Sequence, residues 1–481
     1  GELNAVFTEI VALGTDHPEE IAFLNDDKVF RSAWAYIAET ADRYNDPGTF
    51  TAFAGWEWSS TPDGLNLHRI VFSPDGKDKA VQYLPFSLND SEKPRDLWKW
   101  LARTADEIGT DFIAIGHNSN LSNGRFFPLV DEDGRAIDVE YAQLRSRWEP
   151  VEEVTQYKGD SETHPLLSPS DEFADFERYK HLLDGGPLQH VEGSYARSGL
   201  VRGMQLEAEI GVNPYKFGMI GATDSHTGLA SAEEGNFLGK YAQDSIPETK
   251  AKETVPGSVG WDASAMGFAA VWATENTREA IVEAFRRREV YATTGPRIQL
   301  RFFGGWDFEA RDANARDLAS LGYEKGVPMG GDLTDAPNDK APSFLVSAVK
   351  DPVDGNLDRA QVVKGWVAAD GSAHERIYDV AWSGDRKPGG DGRLEPVGNT
   401  VALEAGSYEN SIGATELTAV WTDPDFDPAL RAFYYVRVLQ IPTPRHTLLD
   451  TIALQQPPEA AGGHASVIQE RAYSSPIWFT P

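Results

Sequence analysis

The chain has 481 residues, a formal net charge of −31 at pH 7 and no cysteine. Its 41% hydrophobic and 25% charged residues are typical of a globular protein with a large core, which excludes general disorder. The negative charge argues against binding to the phosphate backbone of nucleic acids, and the lack of cysteine excludes disulfides, thiolate zinc sites and cysteine nucleophiles. No apolar stretch reaches the ~18 residues of a membrane span, and the acidic composition favours a periplasmic or secreted location.

Short apolar segments alternate with amphipathic ones through the first part of the chain. The hydrophobic pattern predicts helices over residues 5–13, 33–45, 91–101, 195–210 and 280–287. It predicts strands over residues 50–58, 67–72, 112–116, 151–156, 216–223 and 267–273. Strands that alternate with helices indicate parallel βα units, and this number of units predicts a barrel.

After residue 296 the pattern changes to strands separated by turn residues, with few convincing helices. Strands are predicted over residues 298–303, 343–349, 361–367, 417–421 and 433–439. Such a series is typical of a β-sandwich. We therefore predict an α/β protein with a hydrolase barrel over residues 1–296 and a β-sandwich domain over residues 297–481.

Five side chains that can bind metals lie at the ends of predicted strands. Glu57 lies between two tryptophans, His68 begins the next strand, His117 ends another, and Asp224 and His226 follow a fourth. A buried carboxylate is rare unless it is paired or bound to a cation. Residues two apart on a strand share a face, so an Asp-x-His pair can hold one ion. Mixed nitrogen and oxygen ligands favour Zn, Mn or Fe over Mg or Ca alone.

Each of these features also has a purely structural interpretation. A histidine at a strand end can be a hydrogen-bonded core residue, a buried glutamate can pair with an arginine, and Asp-x-His can cap a turn. The combination of all of them on successive strands favours a metal site.

The motifs that carry these residues resemble those of the polymerase-and-histidinol-phosphatase (PHP) superfamily of metal-dependent phosphoesterases. Within it, the chain is most similar to the subfamily labelled DUF3604, from about residue 33 to the C-terminus. The matching stretches are residues 55–58, 66–69, 117–120, 155–160, 221–226, 291–297 and 329–332.

This resemblance implies a distorted (β/α)7 barrel of TIM-like type with two or three divalent metal ions. It also implies that Glu57 bridges two ions and that His68, His117, Asp224 and His226 complete the recognisable ligands.

One feature of the superfamily is missing from the sequence. PHP proteins begin with a His-x-His strand, and no His-x-His occurs in this chain. Thr15-Asp16-His17 resembles the second histidine motif of the superfamily, but it follows a helical pattern. We therefore expect the first one or two βα units to lie upstream of Gly1.

An anionic substrate requires cations near the metals. Lys158, Arg125 and Arg297 are the candidates, and arginine in particular suits phosphate oxygens. Ordinary ion pairing in an acidic protein is the alternative for each. His164 is a candidate for contact with the substrate, and either Asp224 or His164 could transfer the proton of the leaving group.

These observations predict an enzyme, a hydrolase in which a metal-bridging hydroxide attacks a small phosphoester. No phosphate-binding P-loop, dinucleotide-binding glycine motif or Gly-x-Ser-x-Gly elbow occurs in the sequence. Two alternatives remain open: a metal-dependent hydrolase of a carboxylic ester or other carbonyl substrate, and a non-catalytic binding or scaffold protein with a degenerate barrel.

Overall fold

The structure, a computed structural model, describes residues 27–183, 186–255, 258–264, 266–337, 340–390 and 392–481. The predicted helix over residues 5–13 and the Thr15-Asp16-His17 motif lie outside these ranges. The described chain is a mixed α/β protein. Its nine α-helices are α1 Asp27–Tyr44, α2 Lys77–Ala80, α3 Pro94–Ile108, α4 Val139–Trp148, α5 Ala196–Ile210, α6 Pro247–Lys250, α7 Arg278–Arg287, α8 Leu318–Lys325 and α9 His446–Ala453.

Helix termini follow the local sequence. Helix α3 has Pro94 in its first turn, where a missing N–H costs nothing, and it ends at Gly109 in the left-handed conformation. Helix α7 is capped by Thr277, whose hydroxyl accepts a hydrogen bond from the backbone N–H of Ala280.

The first sheet contains the strands that carry the candidate ligands. Its strands are β1 Ala54–Trp58, β2 Arg69–Ser73, β3 Ile113–Gly116, β4 Val151–Gln156, β5 Gly159–Asp160 and β6 Gly218–Gly221. They are ordered β1-β2-β3-β4-β5, and β6 also pairs with β4. The β1–β2 and β2–β3 pairs are antiparallel, whereas the β3–β4 and β4–β6 pairs are parallel.

The prediction of parallel βα units was therefore wrong for β1 and β2. The connection from Trp58 to Arg69 is too short for a crossover helix, which needs about a dozen residues or more, so the two strands form an antiparallel pair. None of the sheets formed by the described residues closes on itself, so the predicted barrel is not seen there.

The remaining strands form an eight-stranded sheet, a four-stranded sheet and two short ribbons. They are β7 Glu253–Val255, β8 Ser258–Val259, β9 Phe268–Val271, β10 Val290–Thr293, β11 Gln299–Gly305, β12 Gly326–Pro328, β13 Asp332–Leu333, β14 Ser343–Val349, β15 Leu357–Val367, β16 Ala373–Trp382, β17 Glu416–Thr422, β18 Ala432–Gln440, β19 Thr443–Pro444, β20 Val467–Ile468, β21 Arg471–Ser474 and β22 Ile477–Phe479.

The eight-stranded and four-stranded sheets share one hydrophobic core. The eight-stranded sheet has the order β13-β22-β18-β21-β10-β9, with β15 paired to β18 and β16. The four-stranded sheet has the order β12-β11-β14-β17. Phe302 and Phe344 of the second sheet are buried in the same cluster as Val362, Tyr434 and Ile477 of the first.

The eight-stranded sheet includes strands from both sides of residue 296. Strands β9 and β10 precede this position, yet β10 pairs with β21 near the end of the chain. The end of β6 also contacts this sheet, because the backbone N–H of Gly267 donates to the carbonyl of Ala222 at 2.9 Å. A Cβ atom at Gly221 would lie 2.8 Å from the carbonyl oxygen of Thr293, so only glycine permits this approach. The proposed division of the chain at residue 296 stays a prediction.

A buried ionic cluster connects these two parts of the chain. Arg197 Nη2 lies 2.5 Å from Glu162 Oε1 and 2.9 Å from Asp171 Oδ2. Arg437 Nη2, on β18, lies 2.7 Å from Asp171 Oδ1. Burial alone would raise the pKa of Asp171, but Arg437 and Arg197 hold that pKa well below its ordinary value. Buried charges of this kind are stable only when they are paired.

We predict that Asp171→Asn lowers the free energy of unfolding by about 3–5 kcal/mol, because it leaves buried guanidinium groups without their shared carboxylate. Urea denaturation measures this change. The matched control is Asp175→Asn, because Asp175 pairs with Arg178 but is 78% exposed. Its expected cost is less than about 1 kcal/mol. Equal losses in both variants would contradict the assigned role of the cluster.

Candidate metal centre

Three strand termini of the first sheet meet at one edge. Trp58 at the end of β1 pairs with Arg69 at the start of β2, and Arg69 pairs with Gly116 at the end of β3. Because β2 runs in the opposite direction to its neighbours, its first residue lies beside the last residues of β1 and β3. His68, which precedes β2, and His117, which follows β3, are therefore adjacent, and the backbone N–H of His117 donates to the carbonyl of His68 at 3.4 Å.

Glu57 contacts both imidazoles through one oxygen. Its Oε1 lies 2.6 Å from His68 Nδ1 and 3.3 Å from His117 Nε2. The neighbouring Trp58 points to the opposite face of β1, where it is fully buried in the core. Each of the three residues offers a ligand atom, and these atoms all lie within 4.8 Å of one another.

A second group of ligands shares Glu57 with the first. Asp224 and His226 lie on the loop that follows β6, and Asp224 adopts a left-handed backbone conformation with φ 52°. His226 Nδ1 lies 3.0 Å from the carbonyl oxygen of Asp224 and 3.7 Å from its Oδ1. The ligand atoms of Glu57, Asp224 and His226 also lie within 4.8 Å of one another.

The protonation states in the first group suit a cation. Burial alone would raise the pKa of Glu57, but the hydrogen bonds from His117 and His68 hold that pKa well below its ordinary value. Burial lowers the pKa of His68 to about 4, although its contact with Glu57 acts in the opposite direction. At pH 7 the group therefore contains a carboxylate and a neutral imidazole, which are the forms that coordinate metals.

Asp224 is held by three donors that all contact its Oδ2. Lys158 Nζ forms an ion pair with this oxygen, Lys240 Nζ lies 2.6 Å from it, and Gln156 Nε2 donates to it at 2.9 Å. Burial alone would raise the pKa of Asp224, but Lys158 and Lys240 hold that pKa well below its ordinary value. Asp224 is thus a carboxylate at pH 7, which favours the predicted role as a ligand over the predicted role as a proton donor.

The donor set fits divalent cations. Two carboxylates and three imidazoles converge on one edge, and one of the carboxylates belongs to both groups. This mixture of oxygen and nitrogen ligands suits Zn, Mn and Fe. All five ligands predicted from the sequence are brought together in the structure.

Comparison with known proteins identifies the family. The family model described as "Protein of unknown function (DUF3604)" matches residues 4–481. The chain belongs to the DUF3604 family. No curated protein and no solved structure matches it. Of the helices described here, none combines the length and the apolar character that crossing a bilayer requires.

Of the three predicted cations of this DUF3604 protein, one lies at the candidate metal centre and two contact other groups. Lys158 lies in the centre, on Asp224. Arg125 forms an ion pair of 3.0 Å with Asp63 and lines a separate cavity of about 780 Å³ that contains none of the five ligands. The guanidinium of Arg297 lies over the ring of Phe268.

His164 is also outside the centre. Its Nδ1 accepts a hydrogen bond from the backbone N–H of Leu166 at 3.1 Å, and its ring lies 5.3 Å from that of Tyr195. Burial lowers the pKa of His164 to about 4. Its contacts are therefore those of a loop residue and do not support a role at the two ligand groups.

Three residues of the centre were not predicted as site residues from the sequence. Glu153 Oε2 lies 4.0 Å from His117 Nδ1, and burial raises the pKa of Glu153 well above its ordinary value. Gln156 donates to both Asn118 Oδ1 and Asp224 Oδ2 and so fixes the orientation of Asp224. Lys240 follows a glycine in a segment without periodic strand or helix pattern, so no sequence signal marks it.

We predict that Mn²⁺ raises the melting temperature of the wild-type DUF3604 protein and that Glu57→Gln abolishes this increase, because Glu57 belongs to both ligand groups. A concentration of about 100 times the dissociation constant stabilises a protein by about 2.7 kcal/mol. Thermal unfolding with and without Mn²⁺ measures the effect. His374→Ala is the control, since His374 is exposed on β16, where its ring stacks on Trp366 and contacts the hydroxyl of Ser372. An undiminished increase in Glu57→Gln would refute the assignment.

Proposed function

We propose that this DUF3604 protein is a metal-dependent hydrolase that acts on phosphoesters. The observation that carries the proposal is the convergence of two carboxylate–imidazole groups on the shared residue Glu57. Bound divalent ions supply Lewis acidity and lower the pKa of water toward ~7, which is the chemistry that ester hydrolysis needs.

The five ligands have distinct tasks in this proposal. Glu57 belongs to both groups and therefore serves two ions, whereas His68 and His117 complete one group and Asp224 and His226 the other. His226 is 39% exposed and lies on the accessible side of the centre. A centre of two or three Zn, Mn or Fe ions is consistent with this number of side chains.

The surroundings of the centre suit an anionic ester. Lys158 and Lys240 place two positive charges beside Asp224, where they can neutralise phosphoryl oxygens.

A relationship to the PHP superfamily is part of the same proposal. The order of the ligands along the chain supports it: a glutamate, one histidine before a strand and one after the next, and an Asp-x-His pair. In this proposal the open first sheet corresponds to part of the distorted (β/α)7 barrel. The eight-stranded and four-stranded sheets correspond to a β-sandwich domain.

The experiment is a hydrolysis assay of the Mn²⁺-loaded protein with an aryl phosphate and the matching aryl carboxylic ester. We predict phosphate hydrolysis that falls at least about a hundredfold in His117→Ala, because a metal ligand is lost, and stays unchanged in His374→Ala. If the protein hydrolyses only the carboxylic ester, the proposed function changes from a phosphoesterase to a carboxylic ester hydrolase. A stable protein that binds no metal and hydrolyses neither ester would instead support a scaffold.

A further inference from the structure

Two lysines from different segments converge on one carboxylate oxygen at the proposed metal centre. Lys240 Nζ lies 2.6 Å from Asp224 Oδ2, and Lys158 Nζ forms an ion pair with the same atom. The side chains of Lys158 and Lys240 are only 9% and 12% exposed. Water therefore screens the repulsion between the two ammonium groups poorly.

The positions of both lysines are fixed by their backbones. Lys158 lies in the turn between β4 and β5, where its N–H donates to Gln156 Oε1 and its carbonyl accepts from Asn120 Nδ2 at 3.0 Å. The carbonyl of Lys240 accepts from the backbone N–H of His226 at 2.9 Å. The fold thus brings two ammonium groups together beside one of the ligand groups.

One lysine would be enough to neutralise Asp224. Elsewhere in the chain the buried Lys364 forms an ion pair of 2.6 Å with the buried Asp423, a single ammonium group for a single carboxylate. The carboxylate of Glu57, whose ligand atom lies within 4.8 Å of that of Asp224, balances the second ammonium group. A divalent cation bound by these two carboxylates therefore leaves a surplus of positive charge at the site. Buried charge of one sign is unfavourable unless an opposite charge joins it.

We infer that Lys158 and Lys240 form a binding subsite for a dianionic group such as phosphate, and that the dianion and the divalent cation bind with positive coupling. The inference rests on the proposed metal centre and specifies its substrate as a dianion. Coupling between two ligands is reciprocal, so phosphate must tighten cation binding by the same factor by which the cation tightens phosphate binding.

The test is titration calorimetry with Mn²⁺ in the absence and presence of inorganic phosphate. In the wild type, phosphate is expected to tighten Mn²⁺ binding about tenfold. In Lys240→Met, Mn²⁺ alone is expected to bind more tightly than in the wild type, because one positive charge that repels the cation is gone, and the enhancement by phosphate is expected to fall below about threefold. Lys240→Arg keeps the charge and should keep the coupling.

The matched control is Lys216→Met. Lys216 is a partly buried lysine that pairs with Asp332, away from the ligand groups, and its replacement should leave both Mn²⁺ constants unchanged. An unchanged Mn²⁺ affinity in the presence of phosphate, or full coupling in Lys240→Met, would overturn the anion subsite alone. Absence of Mn²⁺ binding in the wild type, or equal binding in Glu57→Gln, would overturn the metal centre itself.

Discussion

One physical constraint governs the edge of the first sheet where the candidate ligands meet. The charged carboxylate of Glu57 needs cationic or hydrogen-bonding partners there. Only 23% of its side chain is exposed, so water cannot stabilise its charge alone. Its contacts with His68 and His117 connect the ends of β1, β2 and β3, and its proximity to Asp224 and His226 adds the loop after β6. A single carboxylate thereby sets where four separate segments must lie.

The residues that converge at this centre were predictable from the sequence, whereas the strand pairing around them was not. A glutamate between tryptophans and an Asp-x-His pair are unusual in apolar surroundings, and this contrast marked Glu57, Asp224 and His226. The bounds of β4 and β14 agree with the predicted strands over residues 151–156 and 343–349. The direction of pairing depends on connection length and tertiary contacts, which periodicity does not report, so the antiparallel β1–β2 pair was missed.

The residues that escaped prediction share a physical cause. Lys240 contacts Asp224 and Glu153 contacts His117, and both partners are far away in the sequence. No neighbouring residue in the sequence indicates the position of either side chain. Helix α9 was also not predicted, because it directly follows two prolines, at positions 442 and 444, in a region whose pattern predicted strands. The family match covers residues 4–481, so it includes both the candidate metal centre and the sheets formed later in the chain.

The pairing of β10 with β21 has a consequence for biosynthesis. Strand β21 is translated long after β10, and it lies between β10 and β18 in the eight-stranded sheet. While the polypeptide emerges from the ribosome, β10 exposes an unpaired edge until its neighbour has been made. Such an edge can pair with other chains, so the nascent chain is most open to aggregation during this interval.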